Sequence, residues 1–172
     1  CGHRRVAVLD GGWPAWLEAG LPTAGDEPPQ GRDDYPAQWD HGLYTLDAAQ
    51  LASDLAADRL LLLDARAGPR FRGEVEPLDS RAGHVPGARN RPFANNLDEA
   101  GRFKSAARLR EEFAALLGDR PPQQVMHMCG SGVTAAHNLL AMEHAGLHGS
   151  RLYAPSWSGW IVDPQRPAAR GD

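Results

Sequence analysis

Cys129 is the residue of this sequence whose surroundings best favour covalent chemistry. It follows the apolar run VMHM (125–128), begins the segment CGSGVTA (129–135) and precedes a run with helical periodicity. A cysteine between a strand and the first turn of a helix faces backbone N–H groups and the positive end of the helix dipole, which favour thiolate over thiol. A thiolate in this position can form a covalent intermediate with a substrate.

The residues that follow Cys129 are suited to binding an anion. Gly130 and Gly132 allow the backbone to curl so that successive amides converge, and Ser131 and Thr134 add hydroxyl donors. Most lone cysteines are small buried hydrophobic residues without a chemical task. The two glycines, the two hydroxyls and the strand-to-helix setting together favour a nucleophile in an anion-binding loop.

Two short apolar runs are predicted to be the strands that position this loop. LLLLD (60–64) has the length of a buried strand, and VMHM is the second run. Helical patterns alternate with them, which indicates an α/β fold with a parallel sheet flanked by helices on both faces. Sites in such folds lie at the C-terminal ends of the strands, where Asp64 and Cys129 both occur.

Three helices of the main domain can be predicted from their ends. The first is capped by Thr45, the second runs from a Ser105 cap to Gly118, and the third runs from about Gly132 to Ala145. The apolar residues of the first two that are predicted to face the core are Leu46, Leu51, Ala52, Leu55, Leu109, Phe113, Leu116 and Leu117.

An internal repeat indicates the domain organisation. VAVLDGGWPAW (6–16) matches SRLYAPSWSGW (150–160) as a strand, a tight turn and two tryptophans three residues apart. A segment rich in Pro, Gly and charge, 21–38, is typical of a linker. We therefore expect residues 1–20 to be the end of a first repeat, 21–38 a linker and 39–172 the main domain, with most of the first repeat absent from this chain.

Composition excludes several classes of protein. The formal net charge of −4 and the pI of about 6.0 argue against a general nucleic-acid binder or a protein of anionic membranes. No apolar run approaches the roughly 20 residues of a membrane span. The positions of the two cysteines, Cys1 and Cys129, suggest neither a disulfide framework nor a zinc cluster, which would need paired close spacings, and they suit a reducing, cytoplasmic location.

Two motifs in this order resemble the rhodanese superfamily. CGSGVTA resembles its active-site loop, in the CG(S/T)GVT form of the mercaptopyruvate sulfurtransferase subgroup, and GHVPGA (83–88) resembles its second signature, GHIPGA. The segment LLLDARAGPRFRGEVEP (61–77) completes a resemblance from about 39 to 164. Residues 1–20 resemble the end of the preceding, normally inactive repeat of tandem members.

The resemblance implies a sulfurtransferase with a rhodanese-like fold and no metal or organic cofactor. The thiolate of Cys129 is implied to take sulfur from 3-mercaptopyruvate as a persulfide and to pass it to a thiol or cyanide, with Ser131 as the second catalytic residue. The residues implied to bind the substrate are Arg70, Gly130, Ser131, Gly132, Val133 and Thr134.

Charge in the loop bears on the choice of donor. Members that use thiosulfate carry cationic residues at the two positions after the cysteine, where this chain has Gly130 and Ser131. A neutral loop is a better match for a monocarboxylate, with the planar fork of Arg70 binding its carboxylate. Arg66 is expected to be a structural partner of a carboxylate or carbonyl, and no histidine is assigned as general base.

The sequence also departs from the pattern of its relatives. A second substrate arginine of vertebrate-type members is replaced by Leu78, for which Arg72 and Arg81 are the candidate substitutes. The closing element PSWSGW has Pro155 and Gly159 at positions where GSWSEW is usual. The Asp and His proposed to assist the loop serine in some members belong to the first repeat, so that relay is not assigned here.

Three alternative functions follow from the same residues. Thiosulfate:cyanide sulfurtransferase activity uses the same nucleophile. A phosphatase or arsenate reductase of similar fold has an arginine at the end of the loop, where this chain has Ala135, so a phosphoryl transition state would be bound poorly. A non-catalytic module could use the free thiol as a redox sensor or serve as a scaffold.

Overall fold

The computed structural model describes residues 5–25, 36, 38, 42, 44–45 and 47–172. The expected domain boundary at Trp39, most of the expected linker and Leu46 lie outside the described residues. No helix in the described part of the chain has the length and apolar composition needed to cross a membrane.

Parallel strands form a single five-stranded sheet. Along the chain they are β1 (Tyr44–Thr45), β2 (Leu61–Asp64), β3 (Arg89–Asn90), β4 (Val125–Met128) and β5 (Arg151–Tyr153). They lie side by side in the order β1-β5-β4-β2-β3, so the two predicted strands, β2 and β4, are central neighbours. The expected α/β architecture with a parallel sheet is confirmed.

Helices cover both faces of this sheet. Those of the described residues are α1 (Gly12–Glu18), α2 (Ala48–Ala56), α3 (Gly68–Phe71), α4 (Ala106–Leu117), α5 (Val133–His144) and α6 (Ser156–Trp160). Side chains of α2 and α6 pack with Leu62 and Met126 on one face, and side chains of α4 and α5 pack with Leu63 and Val125 on the other. Each buried side chain of this size contributes about 1.5–3 kcal/mol, so both faces hold the central strands in place.

The N-cap of α4 is the residue predicted from the sequence, whereas the N-cap of α2 is a different residue. Ser105 caps α4 as predicted, since its hydroxyl accepts a hydrogen bond from the N–H of Arg108 at 3.3 Å. Thr45 does not cap α2, because it lies in β1. The cap is Asp47, whose carboxylate accepts from the N–H groups of Ala49 and Gln50 at 2.8 and 3.1 Å. Aspartate caps as well as threonine, and the helix begins two residues later than predicted.

The internal repeat is reproduced in its helix but not in its strand. Residues 150–160 contain β5 and α6, whereas residues 6–9 have no regular secondary structure and Val6 and Val8 are largely exposed. A short apolar run becomes a strand only where another strand offers hydrogen bonds, and no strand in the described residues lies beside this one. The predicted strand at 6–9 is therefore wrong for the described structure, while α1 follows the predicted helix.

Candidate active site

Cys129 directly follows the central strand β4 and lies at the edge of the sheet where the parallel strands end. Met128 is paired in register with Asp64, the last residue of β2, so these two strand ends are level. Gly132 is the N-cap of α5 and has a φ of 92°, a left-handed conformation that favours glycine. The backbone thus turns within three residues from the strand into the helix, and the Cys129 side chain remains only 2% exposed.

Hydrogen-bond donors converge on the sulfur of Cys129. The N–H of Gly132 lies 3.1 Å from Sγ. Burial by itself raises the pKa of the thiol, but hydrogen bonds from the Thr134 hydroxyl and from the N–H groups of Ala135, Ser131 and Gly132 outweigh it and hold the pKa below its ordinary value. The loop therefore favours a thiolate at the start of α5.

We expect Thr134→Val to raise the pKa of Cys129, because it removes a hydroxyl donor to the sulfur at nearly constant volume. Alkylation by iodoacetamide near pH 7 should slow by about three- to tenfold, and the pH profile of alkylation should move to higher pH. Thr134→Ser keeps the hydroxyl and should stay near the wild-type profile. An unchanged profile in the valine variant would show that the Thr134 donor does not stabilise the thiolate.

The outer side of the loop is held by α6. The carbonyl oxygen of Cys129 accepts a hydrogen bond from the N–H of Trp157 at 2.9 Å, and that of Gly130 accepts from the N–H of Ser158 at 3.0 Å. The hydroxyl of Ser156 accepts from the N–H of Cys129 at 3.1 Å and lies 3.1 Å from the carbonyl of Tyr153, to which it can donate. These bonds between segments about 27 residues apart fix the loop backbone.

Pro155 and Gly159, the two departures in the closing element, depend on each other. A Cβ placed on Gly159 would lie 2.2 Å from the Cβ of Pro155, which is closer than atoms can approach. The N–H of Gly159 also donates to the carbonyl of Pro155 at 2.8 Å. With proline at 155, the position at 159 therefore has no room for a carboxylate side chain.

Arg70 lies in α3, beside the loop. Its Nη2 lies 2.6 Å from Oε1 of Glu76 and 3.3 Å from Oδ2 of Asp79, and its Nε also donates to Glu76. A Cβ on Gly130 would lie 3.5 Å from Nη2 of Arg70, so the guanidinium lies against the residue that follows the cysteine. The side chain is 18% exposed and open to a ligand.

Arg70 is held by a buried cluster of ion pairs that also includes Arg66. Arg66 pairs with Asp64 at 2.7 Å and with Glu76 at 3.3 Å, and donates to the carbonyl of Gly83 at 2.8 Å, as expected of a structural arginine. Burial tends to raise the pKa of Glu76, but hydrogen bonds from Arg70 and from backbone N–H groups hold it below its ordinary value. The Glu76 carboxylate is therefore charged and holds both arginines.

A pocket of about 320 Å³ opens over the sulfur. At its mouth Leu78 is 79% exposed and Val133 is 74% exposed. The described residues that line it are Arg70, Leu78, Asp79, Cys129, Gly130, Ser131, Val133, Thr134 and Ser158. The structure thus brings Arg70 together with Cys129 and all but one of the loop residues singled out from the sequence. The remaining one, Gly132, is the N-cap of α5.

Neither candidate for a second substrate arginine reaches this pocket. Arg72 pairs with Glu74 at 2.6 Å, and Arg81 donates to the carbonyl of Arg166 at 2.7 Å. Neither arginine lines the pocket. Arg72 also lies 4.0 Å from Asp172, and the contact of Arg81 is with the segment that follows α6. Among the described lining residues Arg70 is the only arginine.

The histidines near the motifs have structural surroundings. His84 stacks on Phe71 with ring centroids 3.8 Å apart and bonds the Phe71 carbonyl through Nδ1 at 2.9 Å. His127 is fully buried in β4, and burial lowers its pKa to about 3, so it is neutral. Burial also lowers the pKa of His137, which contacts Asn96. None of the three lines the pocket.

Sequence reasoning did not identify Asp79 and Ser158 as residues of the site. The Ser158 hydroxyl lies 2.7 Å from Oδ1 of Asp79 and 2.8 Å from the carbonyl of Gly130. The available signals were the acidic residues of GEVEPLD and the serine between the two tryptophans of PSWSGW. Neither signal indicates a contact, because 79 residues separate the two side chains.

Comparisons with known proteins agree on one family. The model of the Rhodanese-like domain family matches residues 47–163. A probable 3-mercaptopyruvate sulfurtransferase of Pseudomonas aeruginosa is 51% identical over 97% of this chain and 58% of its own length. The human 3-mercaptopyruvate sulfurtransferase is 34% identical over 94% of this chain and 54% of its own length. The chicken thiosulfate sulfurtransferase is 31% identical over 93% of this chain and 55% of its own length. The chain thus spans less than two thirds of these relatives.

Solved structures show the same fold. The anaerobic ergothioneine biosynthesis enzyme of Chlorobium limicola, in complex with trimethyl histidine, superposes with a TM-score of 0.81 over 95% of this chain and 41% of that one. The two sequences are 22% identical in this alignment. At this identity the likeness concerns the fold alone.

Proposed function

The chain belongs to the family of rhodanese-like domains, and we propose that it is the catalytic domain of a 3-mercaptopyruvate sulfurtransferase in which Cys129 carries sulfur as a persulfide. The observation that carries the proposal is the position of the Cys129 sulfur at the start of α5, where the N–H of Gly132 lies 3.1 Å from it and hydrogen bonds from the loop hold the pKa of the thiol below its ordinary value. Such surroundings favour a nucleophilic thiolate, and they also suit the anionic sulfur of a persulfide.

Sulfur transfer then takes two steps. The Cys129 thiolate forms a bond to the donor sulfur, the carbon–sulfur bond breaks, and its electron pair leaves with the pyruvate enolate, which takes up a proton. An acceptor thiolate next attacks the outer sulfur of the Cys129 persulfide, and the sulfur–sulfur bond breaks to regenerate the Cys129 thiolate. Cyanide can take the acceptor's place and gives thiocyanate. Covalent catalysis divides one difficult transfer into two easier ones.

The lining residues have separate tasks in this proposal. Arg70 binds the donor carboxylate, and the backbone and hydroxyl groups of Gly130, Ser131, Gly132 and Thr134 surround the reacting sulfur, with Ser131 next to the leaving group. Val133 forms part of the apolar mouth. No step in this scheme requires a metal or an organic cofactor, and the partners are a small sulfur donor and a thiol or cyanide acceptor.

We also propose that the whole protein contains a preceding rhodanese repeat and acts in the cytoplasm. The curated relatives are longer than this chain, and residues 6–16 repeat the sequence pattern of the element that closes the main domain. A cysteine that must cycle between thiolate and persulfide suits a reducing compartment.

Donor choice is a testable part of the proposal, since relatives of both kinds match the chain. The two residues after Cys129 are neutral, so the loop has no pair of positive charges that could balance a dianion such as thiosulfate. We expect kcat/KM of the full-length protein for mercaptopyruvate to exceed that for thiosulfate by at least about tenfold, or roughly 1.4 kcal/mol. Initial rates with both donors in parallel measure this, and equal efficiencies would contradict the argument from loop charge.

A redox sensor or scaffold is the alternative of a different class. Its low-pKa thiol would oxidise without turning over a sulfur donor. Incubation with mercaptopyruvate followed by cyanide distinguishes the two functions, because a sulfurtransferase gains a cyanide-labile sulfur on Cys129 and releases pyruvate in equal amount. Failure to form that labile sulfur would favour the sensor.

A further inference from the structure

Asp79 connects the substrate-binding arginine to the nucleophile loop. Its Oδ2 lies 3.3 Å from Nη2 of Arg70, and its Oδ1 lies 2.7 Å from the hydroxyl of Ser158. Ser158 in turn donates its backbone N–H to the carbonyl of Gly130 at 3.0 Å. The Asp79 side chain is 12% exposed, and each of its two carboxylate oxygens has a hydrogen-bond partner.

This carboxylate lies close to the position of a bound donor. A Cβ on Gly130 would be 3.8 Å from Oδ2 of Asp79, and Asp79 lines the same pocket as the sulfur of Cys129. A donor that reaches Cys129 therefore occupies a pocket that this carboxylate also lines. At such distances in a partly buried pocket, like charges repel with an energy that affects affinity by an order of magnitude.

The charges around Arg70 leave an excess of one negative charge. Arg66 and Arg70 share three carboxylates, those of Asp64, Glu76 and Asp79. Among the described residues that line the pocket, Arg70 is the one basic residue and Asp79 the one acidic residue. The positive charge of Arg70 is therefore already balanced before a donor arrives.

Arg70 nevertheless retains one group for a ligand. Its Nε and Nη2 are occupied by Glu76 and Asp79, whereas Nη1 makes no hydrogen bond to any of the described residues. A Cβ on Gly130 would lie 3.7 Å from Nη1, so this group faces the loop. This single free Nη1 group can bind one carboxylate, but it cannot balance the two negative charges of a dianion.

We propose that Asp79 is a specificity-determining residue that selects monoanionic sulfur donors by repelling dianionic ones such as thiosulfate. The inference rests on the proposed function and deepens it. It is separate from the neutrality of Gly130 and Ser131, because a neutral loop only fails to attract a dianion, whereas a fixed carboxylate opposes it. Each negative charge of the donor is repelled, so a dianion is disfavoured more than a monoanion.

The test compares Asp79→Asn with two controls in the full-length protein. Asparagine keeps the shape and can still accept from Ser158, but it removes the charge. We expect the ratio of kcat/KM for thiosulfate to that for mercaptopyruvate to rise about tenfold in Asp79→Asn. Asp79→Glu retains the charge and should keep the wild-type ratio. Glu74→Gln removes an exposed carboxylate of the same segment, which pairs with Arg72, and should also keep it.

The outcomes separate this inference from the function on which it rests. An unchanged ratio in an active Asp79→Asn protein overturns the role of Asp79 and leaves the sulfurtransferase assignment intact. A wild-type protein that forms no persulfide with either donor overturns the assignment itself. If Asp79→Asn does not fold, Asp79→Ser, which also removes the charge, is measured in its place, and an unchanged ratio in that variant would overturn the role of Asp79.

Discussion

Cys129→Ser is expected to lower sulfur transfer to cyanide or a thiol by at least about a thousandfold, because serine cannot form a persulfide. The fold should be retained. The buried hydroxyl is slightly smaller than the thiol and can accept the same hydrogen bond from the N–H of Gly132, which lies 3.1 Å from the sulfur. Thermal unfolding and initial rates with mercaptopyruvate measure the two expectations separately.

The matched control for this variant is Cys1→Ser, which removes the other cysteine of the chain. It should keep the wild-type rate. Mass spectrometry after incubation with mercaptopyruvate should find one additional sulfur on the peptide that contains Cys129 and none on the peptide that contains Cys1. Substantial turnover by Cys129→Ser would falsify the assignment of the nucleophile.

Arg70→Ala should lower kcat/KM for mercaptopyruvate by about ten- to a hundredfold, as expected for a charged hydrogen bond of roughly 1.5–3 kcal/mol. Arg70→Lys should recover only part of this loss. A lysine keeps the charge but loses the planar geometry that lets Nε and Nη2 bind Glu76 while Nη1 faces the loop. Alkylation of Cys129 by uncharged iodoacetamide should stay near the wild-type rate, because this reagent has no carboxylate.

Arg72→Ala is the control for the arginine variants. It removes an arginine of the same segment that pairs with Glu74 and does not line the pocket, so its kcat/KM should be unchanged. Normal turnover of mercaptopyruvate by Arg70→Ala would make Arg70 a structural residue of the ion-pair cluster. The donor carboxylate would then be bound by the loop itself.

The sheet and the loop could be predicted because their determinants are local. Apolar runs of strand length predicted β2 and β4, and capping and terminating residues predicted α4. The seven consecutive residues CGSGVTA predicted the loop that connects β4 to α5. The position of Arg70 beside this loop was expected from its place after the end of β2. In each case the residues that determine the feature lie close together in the sequence.

The features that the sequence did not predict depend on residues that are distant in the chain. The run at 6–9 has the composition of a strand, but strand formation depends on a neighbour elsewhere in the chain. Capping preference alone permits both Thr45 and Asp47, and the choice of Asp47 depends on the pairing of Thr45 in β1 with a strand more than 100 residues later. The links from Asp79 to Ser158 and from Ser156 to Cys129 span 79 and 27 residues, and only the folded chain brings these side chains together.

The hold of α6 on the nucleophile loop also has a consequence for synthesis on the ribosome. The loop emerges before Ser156, Trp157 and Ser158, on which its backbone geometry depends. At about 5–20 residues per second, the 27 residues between Cys129 and Ser156 take roughly one to five seconds to translate. During that interval the cysteine is present in the nascent chain without the groups that hold its loop, so the site acquires its final form only when this last part of the domain has been made.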